Sequence, residues 1–436
     1  MTRGFDTRSL HAGAAPDPAT GARATPIHQT TSFVFDDADA AAELYALRAE
    51  GHVYSRLSNP TVTALEERLA DLAGGSGAVA TGSGMAAFDA IVTVLASAGD
   101  NVVASAEMYG GTATYLTTIA NRRGIEVRLV DTLDYEGYAD AIDGNTAFVH
   151  AETVANPALV TPDFERLAAV AHERAVPLVV DNTFATPYLC RPFEHGADIT
   201  WTSTTKWITG NGTTVGGVVV DGGSFPWGHP DADYDELDGE SPAYPIDFVE
   251  RFGDAAFANV ARQRGVRPTG GQQSPFDAWQ TIQGLNTLPL RMERHCENAR
   301  AVAEFLRDDG RVDWVTYPGF ADHESHGNAA EYLDGFGGMV TFGVDGGYEA
   351  AKTFCESVEL TSFLANIGDA KTLVIHPAST THAQMDETQR RLAGVLPEML
   401  RLSVGIEDVD DVIADLDRGL AAGERAAGGE PAAGGN

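Results

Sequence analysis

The feature that most constrains the fold is a rhythm of short, largely apolar runs separated by helical segments. After the helical stretch TVTALEERLADLAG, the runs follow one another at short intervals as AVAT, NVVAS, IEVRLV, TAFVHAE, VPLVVDNT and DITWTST. Buried parallel strands have continuous apolar sequences, and crossover helices are needed to join them. We therefore predict an α/β fold with a mainly parallel sheet and crossover helices.

The 436 residues exceed the usual size of one domain, and four segments differ in character. Residues 1–61 carry scattered turn signals and one helical stretch, so we expect an arm that packs on a neighbouring subunit. Residues 62–265 form the large domain, in which FPWGHPDADYDELDGESPAYP predicts a long surface excursion. Residues 266–422, with the helical LPLRMERHCENARAVAEFLRDDG and the strand-like GGMVTFGVDGG, predict a smaller α+β domain. Residues 423–436 are small and polar and predict a disordered tail.

The charge of the chain restricts its partners. A formal net charge of −34 repels nucleic-acid phosphates and anionic membranes, so we expect neither as a partner. The acids recur along the chain, which predicts an acidic surface, and lysine occurs at only three positions. Our hypothesis is a halophilic cytosol, where high salt screens the repulsion between carboxylates. The alternative is an ordinary acidic protein.

Targeting and cysteine signals point to the cytoplasm. No apolar run approaches the roughly 20 residues that cross a bilayer, and the start of the chain lacks the apolar stretch of a signal peptide. Cys190, Cys296 and Cys355 are too few and too scattered for a disulfide framework, and no Cys/His cluster indicates a metal site. We therefore predict a cytoplasmic protein with reduced thiols and no metal.

The sharpest local motif is ATGSGMAAFDA, in which a strand ends, glycines allow a tight turn and a helix begins with free backbone amides. Such a helix start binds phosphate. Gly82, Gly84 and Ala87 also fit the dinucleotide pattern, with Glu107 placed to bind a ribose, so an NAD-dependent oxidoreductase is a rival interpretation. A third interpretation is that the glycines merely permit the turn.

Two further residues stand at the ends of apolar strands. Asp181 follows VPLVV, and a buried carboxylate there needs a partner such as a protonated pyridine nitrogen, although helix or turn capping is an alternative. Lys206 lies between Thr205 and Trp207 after another apolar strand. A lone lysine is usually a solvated surface charge, but in a lysine-poor chain this position favours a desolvated amine nucleophile, with Ser203 and Thr205 near a phosphate. An NAD enzyme gives Lys206 and Asp181 no role.

Taken together, these segments resemble the Cys/Met-metabolism family of enzymes that depend on pyridoxal 5'-phosphate (PLP), over nearly the whole chain. The resemblance is carried by the stretches YSRLSNPTVTALEERLA, GSGMAAFDA, EMYGGT, ETVANPALVTPD, VDNTFATPYLCRP, EHGADITWTSTTKW and RLSVGIEDVDD. Within the family the chain is most similar to O-acetylhomoserine sulfhydrylases, in LHAG, LPLRMERHCENA and LANIGDAKTLVIHPASTTHAQ. Cystathionine lyases and synthases generally carry glutamate where this chain has Lys371.

The resemblance implies the PLP-dependent transferase fold of type I and a homotetramer built as a dimer of dimers. It implies that Lys206 is the catalytic Schiff-base lysine, that Asp181 pairs with the pyridine nitrogen, and that Tyr109 stacks on the cofactor ring and takes part in catalysis. The remaining cofactor contacts that it implies are Gly84, Met85, Ser203 and Thr205 at the phosphate, Tyr54 and Arg56 from the neighbouring subunit, and Asn156 at the phenolic oxygen. Arg401 and Asn366 are the implied substrate-binding residues.

The implied reaction is replacement of the acetyl group of O-acetyl-L-homoserine by sulfide or a thiol, giving homocysteine or methionine and acetate. Cystathionine γ-synthase, cystathionine γ-lyase and methionine γ-lyase are alternatives within the family, and a PLP-binding protein without catalysis is an alternative outside it. The chain departs from the commonest family pattern at Thr202, Asn211 and His28. These departures bear on the fine substrate preference and not on the cofactor.

Overall fold

Helices and strands alternate along the computed structural model, which describes residues 3–229, 234, 236–237, 239–241, 244, 246–381, 383 and 394–428. The described strands are β1 Gly77–Thr81, β2 Asn101–Ser105, β3 Glu126–Val130, β4 Thr146–Glu152, β5 Leu178–Asp181, β6 Ile199–Thr202, β7 Gly217–Asp221, β8 Val312–Thr316, β9 Met339–Val344, β10 Ser362–Phe363, β11 Leu373–Ile375 and β12 Met399–Ser403.

The described α-helices are α1 Phe5–His11, α2 Ala38–Tyr45, α3 Pro60–Ala73, α4 Gly84–Leu95, α5 Gly110–Thr114, α6 Tyr135–Ala141, α7 Phe164–His172, α8 Thr186–Leu189, α9 Phe248–Phe252, α10 Ala256–Val260, α11 Arg267–Thr269, α12 Pro275–Leu285, α13 Leu288–Asp308, α14 His326–Tyr332, α15 Gly347–Ser357 and α16 Val409–Ala427. Wider π-helical turns continue α5 over Tyr115–Ala120 and α10 over Ala261–Val266, and short 3-10 turns occupy Pro192–His195, Gly253–Ala255 and Pro377–Ser379. Within the described residues, no helix has the length and apolar character needed to cross a bilayer.

The larger sheet has seven strands in the order β1-β7-β6-β5-β4-β2-β3. Strand β7 is antiparallel to β1 and β6, and the other neighbours are parallel. The register sets Glu152 opposite Asp181 and Asp181 opposite Trp201, so β4, β5 and β6 end at the same edge. The predicted α/β fold with a mainly parallel sheet is confirmed.

The inner strands of the larger sheet, such as β4 and β5, are buried on both faces, whereas the edge strand β3 is mostly half-buried or exposed. Successive side chains of a strand point to opposite sides. Along β5, Val179 packs into one apolar cluster with Phe88 and Trp201, whereas Val180 packs into the other with Leu65. All four residues of β5 are buried. Each fully buried aliphatic or aromatic side chain contributes roughly 1.5–3 kcal/mol, which explains why these strands have continuous apolar sequences.

The smaller sheet has five strands in the order β10-β11-β12-β9-β8, antiparallel except for the pair β10 and β11. It supplies the smaller domain, in which Leu400 and Leu402 of β12 are fully buried in the cluster that also holds residues of α13, α15 and α16. Arg401 lies between these two leucines, so its side chain leaves β12 on the opposite face. This alternation directs the guanidinium away from the apolar cluster.

Two details of the prediction are wrong. The excursion that begins at FPWGHP is not wholly a surface feature, because Trp227, Tyr234 and Leu237 are buried and the Tyr234 hydroxyl donates to the Ala147 carbonyl at 2.8 Å. Apolar side chains spaced along that acidic segment cover the sheet. The tail predicted from residue 423 is helical as far as Ala427, since α16 continues and buries Gly423 against Ala350. Residues 429–436 lie outside the described residues.

The predicted domain boundaries at 61/62 and 265/266 both fall inside helical segments, α3 and the π-helical turn Ala261–Val266. The arm is joined to the large domain through contacts of α1 with α3, such as the bond from the Arg8 Nε to the Asp71 Oδ2 at 2.8 Å. The division into an arm, two domains and a tail stays a prediction.

Candidate active site

Two buried acids stand side by side at the ends of β4 and β5. Glu152 is 4% exposed and Asp181 is 6% exposed. The Asp181 Oδ1 accepts the Thr183 amide at 2.9 Å and the Thr183 hydroxyl at 2.5 Å. Burial raises the pKa of Asp181, and burial followed by the charge of Asp181 raises the pKa of Glu152. Among the described residues no cation pairs with Asp181, so this edge of the sheet favours a positively charged ligand.

Lys206 lies in the turn that follows β6, and its side chain reaches into the site. The Nζ donates to the Asn366 Oδ1 at 2.5 Å. Burial and, to a smaller degree, the charge of Arg401 lower the pKa of Lys206 to about 8. An amine with this pKa is neutral far more often near pH 7 to 8 than an ordinary lysine, which makes it a usable nucleophile and base.

The start of α4 faces the hydroxyl-rich turn before Lys206. The Ser83 side chain caps this helix by accepting the Ala86 amide at 3.1 Å. A Cβ at Gly84 would lie 2.8 Å from the Cβ of Ser203, so only glycine lets the helix start approach so closely. The Ser203 amide donates to the Thr183 hydroxyl at 2.9 Å, which links this turn to the Asp181 strand. Free amides of a helix start beside a serine hydroxyl form a suitable phosphate cradle.

The other two residues predicted at the phosphate have distinct positions. Met85 follows Gly84 in the first turn of α4 and is half-buried. The Thr205 hydroxyl accepts the Gly216 amide at 3.0 Å and can donate to the Gly216 carbonyl at 3.2 Å. These two hydrogen bonds join the turn that contains Lys206 to Gly216, the residue directly before β7.

Tyr109, Asn156 and Arg401 gather on the other side of the acids. The Arg401 Nη1 donates to the Asn156 Oδ1 at 3.0 Å. Burial lowers the pKa of Arg401, while Tyr109 acts in the opposite direction. The Tyr109 ring is 47% exposed, and its backbone amide donates to the Glu152 Oε1 at 2.6 Å. An exposed aromatic face thus lies near a half-buried guanidinium that can bind a carboxylate.

Tyr54 and Arg56 are not brought to this site by the chain itself. The Arg56 guanidinium lies 5.4 Å from the centroid of the Tyr54 ring and donates to the Arg267 carbonyl. No described contact joins either side chain to Lys206, Asp181 or Ser203. Their assignment to the site of a neighbouring subunit stays a prediction.

The donor set fits pyridoxal phosphate. Lys206 offers an amine for the aldehyde, Asp181 a buried anion for a protonated ring nitrogen, and the start of α4 with Ser203 a cradle for the phosphate. The rival dinucleotide interpretation loses its ribose contact, because the Glu107 Oε2 accepts the amide and the hydroxyl of Thr132 at 2.9 and 2.5 Å. In the part of the chain that the structure describes, no three His, Cys, Asp or Glu side chains cluster as metal ligands.

Three residues have positions at the site that were not predicted from the sequence. Asn366, predicted to bind substrate, touches the Lys206 amine. Glu152 ends the apolar run TAFVHAE as Asp181 ends its own run, and this position is the sequence signal for it. Arg291 lies in the helical pattern LPLRMERHCENA, and its guanidinium donates to the carbonyls of Trp207 at 2.6 Å and of Ile208 at 3.0 Å. This buried arginine therefore anchors the turn that carries Lys206.

Comparison with known proteins agrees with this geometry. The family model described as Cys/Met metabolism PLP-dependent enzyme matches residues 6–421. An O-acetyl-L-homoserine sulfhydrylase of Leptospira meyeri is 46% identical over 433 residues, with 96% of this chain and 98% of the relative covered. A homocysteine synthase of Schizosaccharomyces pombe is 46% identical over 419 residues, with 95% and 98% covered.

A solved structure is also similar throughout. The crystal structure of a putative O-acetylhomoserine (thiol)-lyase from Campylobacter jejuni, which contains pyridoxyl-lysine monophosphate, superposes with a TM-score of 0.92 at 35% identity. The match covers 96% of this chain and all of that chain. The expected fold and the PLP cofactor are thereby confirmed, and the NAD-dependent alternative is wrong. The chain belongs to the Cys/Met-metabolism family of PLP-dependent enzymes.

Proposed function

We propose that this chain is an O-acetylhomoserine sulfhydrylase, which converts O-acetyl-L-homoserine and hydrosulfide to homocysteine and acetate. The bond from the γ carbon to the ester oxygen breaks, a bond from the γ carbon to sulfur forms, and acetate leaves with the negative charge that hydrosulfide brought. Relatives named O-acetyl-L-homoserine sulfhydrylase and homocysteine synthase, 46% identical over nearly their full length, support this assignment.

The observation that carries the proposal is the half-buried Lys206 amine, which contacts Asn366 in a site that also holds Arg401. γ-Replacement requires a base that removes and returns protons on neighbouring carbons of an amino acid. It also requires a group that binds the α-carboxylate through two hydrogen bonds and takes no part in the proton transfers. Lys206 meets the first need and Arg401 meets the second.

The two residues that we assign the main roles toward the cofactor, Lys206 and Asp181, belong to the edge of the larger sheet where β5 and β6 end. Lys206 would hold the cofactor covalently, and Asp181 would pair with its ring nitrogen. The further assignments are Tyr109 against the ring, Asn156 at the phenolic oxygen, Gly84, Met85, Ser203 and Thr205 at the phosphate, and Tyr54 and Arg56 from a neighbouring subunit. When bound, pyridoxal phosphate supplies an electron sink that makes the α proton of an amino acid acidic.

The side chains then have separate tasks. Lys206, whose amine is free once the substrate amine has replaced it, would take the proton from the α carbon, since burial and Arg401 keep part of that amine neutral near pH 8. Lys206 or Tyr109 moves the second proton, which leaves the β carbon before acetate departs. Arg401, held at its Nη1 by Asn156, binds the substrate carboxylate. Asn366 orients the Lys206 amine through its side-chain oxygen.

A direct assay tests the proposal. The purified protein is incubated in high potassium chloride with O-acetyl-L-homoserine and sulfide, and homocysteine is quantified beside a Lys206→Ala control. Cystathionine alone, O-acetyl-L-homoserine with cysteine, and methanethiol in place of sulfide are assayed in parallel. Homocysteine from the ester and sulfide, absent in the control, is expected. Keto acid or cysteine formed from cystathionine instead would assign the chain to the lyases.

The proposed assembly is a homotetramer formed as a dimer of dimers. Exposed apolar side chains in the arm, including Val34, Phe35 and Tyr45, support burial against another subunit. Tyr54 and Arg56, which do not reach the site of their own chain, give that contact a role. Light scattering during gel filtration should give four times the 46.1 kDa chain mass. A monomer that retains full activity would contradict this assembly.

A halophilic, cytoplasmic enzyme is the remaining part of the proposal. The 63 acidic residues outnumber the 29 lysines and arginines, and the three cysteines are free thiols. Repulsion between carboxylates acts over about 10 Å at 0.1 M salt but only about 3 Å at 1 M. Dialysis into low salt should therefore unfold the protein, as followed by circular dichroism. Full stability in low salt would contradict the halophilic assignment.

A further inference from the structure

The carboxyl group of Glu152 has no assigned task, although it lies at the centre of the site. Its residue ends β4 directly beside Asp181, its register partner on β5. The Oε1 accepts the backbone amide of Tyr109 at 2.6 Å. The backbone amide of Asn156 also donates to this carboxyl group. One buried side chain therefore binds the backbones of both residues that we place beside the ring and the phenolic oxygen of the cofactor.

The surroundings of Glu152 determine which of the two acids carries the charge. Two adjacent carboxylates with little solvent repel each other, and one proton shared between them removes most of that cost. Asp181 is the better anion, because it accepts both the amide and the hydroxyl of Thr183 and faces the proposed ring nitrogen. Burial and the Asp181 charge both raise the pKa of Glu152, against the opposing effect of its two backbone hydrogen bonds.

From this geometry we infer that Glu152 is a positioning residue, a neutral carboxylic acid that fixes the backbones of Tyr109 and Asn156 and leaves the negative charge of the pair on Asp181. The inference rests on the proposed function only for the roles of Tyr109 and Asn156. A protonated glutamate keeps a carbonyl oxygen that accepts N–H groups and gains an O–H donor. Glutamine has the same shape and the same two capacities, whereas alanine has neither.

The test compares Glu152→Gln and Glu152→Ala with the wild-type holoenzyme. Asp221→Asn is the matched control, because Asp221 also ends a strand of the larger sheet, is buried, and accepts two backbone amides, those of Gly223 and Ala258, both at 3.0 Å. The dissociation constant of pyridoxal phosphate, the pH titration of the cofactor absorbance band, kcat and KM are measured for each protein. Circular dichroism monitors folding.

Glu152→Gln is expected to stay within about threefold of wild type in cofactor affinity and kcat, because it preserves the hydrogen bonds of the neutral acid. Glu152→Ala should weaken cofactor binding by roughly tenfold or more, since two buried amides lose their acceptor, and should lower kcat more than it raises KM. Asp221→Asn should change neither the affinity nor the absorbance titration.

Two results would overturn the inference. One is a Glu152→Gln enzyme as impaired as Glu152→Ala, because the carboxylate charge would then be required. The other is a Glu152→Ala enzyme that binds the cofactor as wild type does. If Glu152→Ala does not fold, the absorbance titration of Glu152→Gln decides, with an unchanged curve expected and a displaced curve contradicting the inference. Failure of the proposed function is separate, since wild type would then bind the cofactor but form no homocysteine.

Discussion

The seven-stranded sheet presents its site residues at strand ends, whereas the five-stranded sheet presents Arg401 from the middle of a strand. Glu152 and Asp181 meet because parallel neighbours end at the same edge, which follows from strand direction. Arg401 reaches the site because it alternates with two buried leucines, which depends on the register of one antiparallel strand. We infer that the larger sheet supplies the chemistry of the cofactor and the smaller sheet supplies the grip on the substrate.

The largest expected effect comes from the reactive group of the larger sheet. Lys206→Ala removes the amine that binds the cofactor and moves the protons, so kcat should fall by roughly 10² to 10⁴ from the loss of proton transfer alone. The measurement is homocysteine formation under saturating ester and sulfide. Lys352→Ala on α15 is the control and should keep its activity. Near-normal turnover by Lys206→Ala would break the assignment of chemistry to the larger sheet.

Arg401→Lys sharpens the assignment of substrate binding to the smaller sheet. Lysine keeps the charge but loses the two-pronged geometry, so KM for O-acetyl-L-homoserine should rise about 10- to 100-fold with a smaller change in kcat. Steady-state kinetics separate the two constants. Arg300→Lys, at a surface ion pair with Glu304, should leave both unchanged. A fall in kcat at constant KM would instead place Arg401 in the chemistry.

The two sheets meet in the pKa of Lys206, which burial and then Arg401 lower from 10.5 to about 8. Only the neutral amine attacks an aldehyde, so cofactor uptake by the cofactor-free enzyme should accelerate as pH rises through about 8 and then level off. In Arg401→Gln the pH midpoint of the uptake rate should rise only slightly, because burial, the larger cause of the lowered Lys206 pKa, remains. Absorbance follows the uptake rate. A wild-type midpoint near 10.5 would show that the amine is not desolvated.

The smallest effect concerns the framework of the smaller sheet. Asp415 on α16 accepts the amides of Glu359, Leu360 and Thr361 at 2.8, 3.1 and 2.7 Å. Asp415→Asn should lower the free energy of unfolding by about 1 to 2 kcal/mol, because the NH2 group that replaces one carboxylate oxygen cannot accept a backbone N–H, while activity persists. Urea titration measures the change in the free energy of unfolding. An Asp415→Asn enzyme that is as stable as wild type but has lost activity would contradict a purely structural role.

The sign of the pH dependence at Asp415 follows from its pKa. Burial raises this pKa, but the hydrogen bonds to the carboxylate, chiefly the three from the backbone, together outweigh burial and leave it below the usual 3.8. The stability that the folded carboxylate contributes is therefore present above pH 3.8 and is lost as pH falls through the lowered pKa. The difference between wild type and Asp415→Asn should shrink in strong acid.

Local sequence patterns predicted the larger sheet but not the smaller one. Each strand from β1 to β6 lies in one of the short, largely apolar runs, and those runs also indicated Asp181 and Lys206. In the smaller domain only β9 was predicted, from GGMVTFGVDGG. Strands such as Ser362–Phe363 and Leu373–Ile375 are too short to show an alternating pattern in the sequence. They are defined by their pairing with other strands of the smaller sheet.

Contacts between segments far apart in the chain explain what the sequence left out of the site. Asn366 lies 160 residues from Lys206, and no local pattern connects them. Glu152 is important because it neighbours Asp181 on the next strand, a relation that appears only once the strand order is known. Likewise, the acidic segment near Tyr234 was expected on the surface. Its apolar residues are spaced apart in the sequence, and their packing against the larger sheet appears only in the folded structure.

The position of Arg291 has a consequence for recombining this enzyme with its relatives. Besides the Trp207 and Ile208 carbonyls, its guanidinium binds the Gly284 carbonyl at 2.8 Å, and a Cβ at Gly210 would collide with it. In a chimaera joined at the predicted boundary 265/266, Arg291 comes from one parent, whereas Trp207 and Gly210 come from the other. Chimaeras of distant parents joined there should lose activity unless Gly210, Gly284 and Arg291 come from one parent, so the smallest exchangeable unit of this enzyme straddles its two domains.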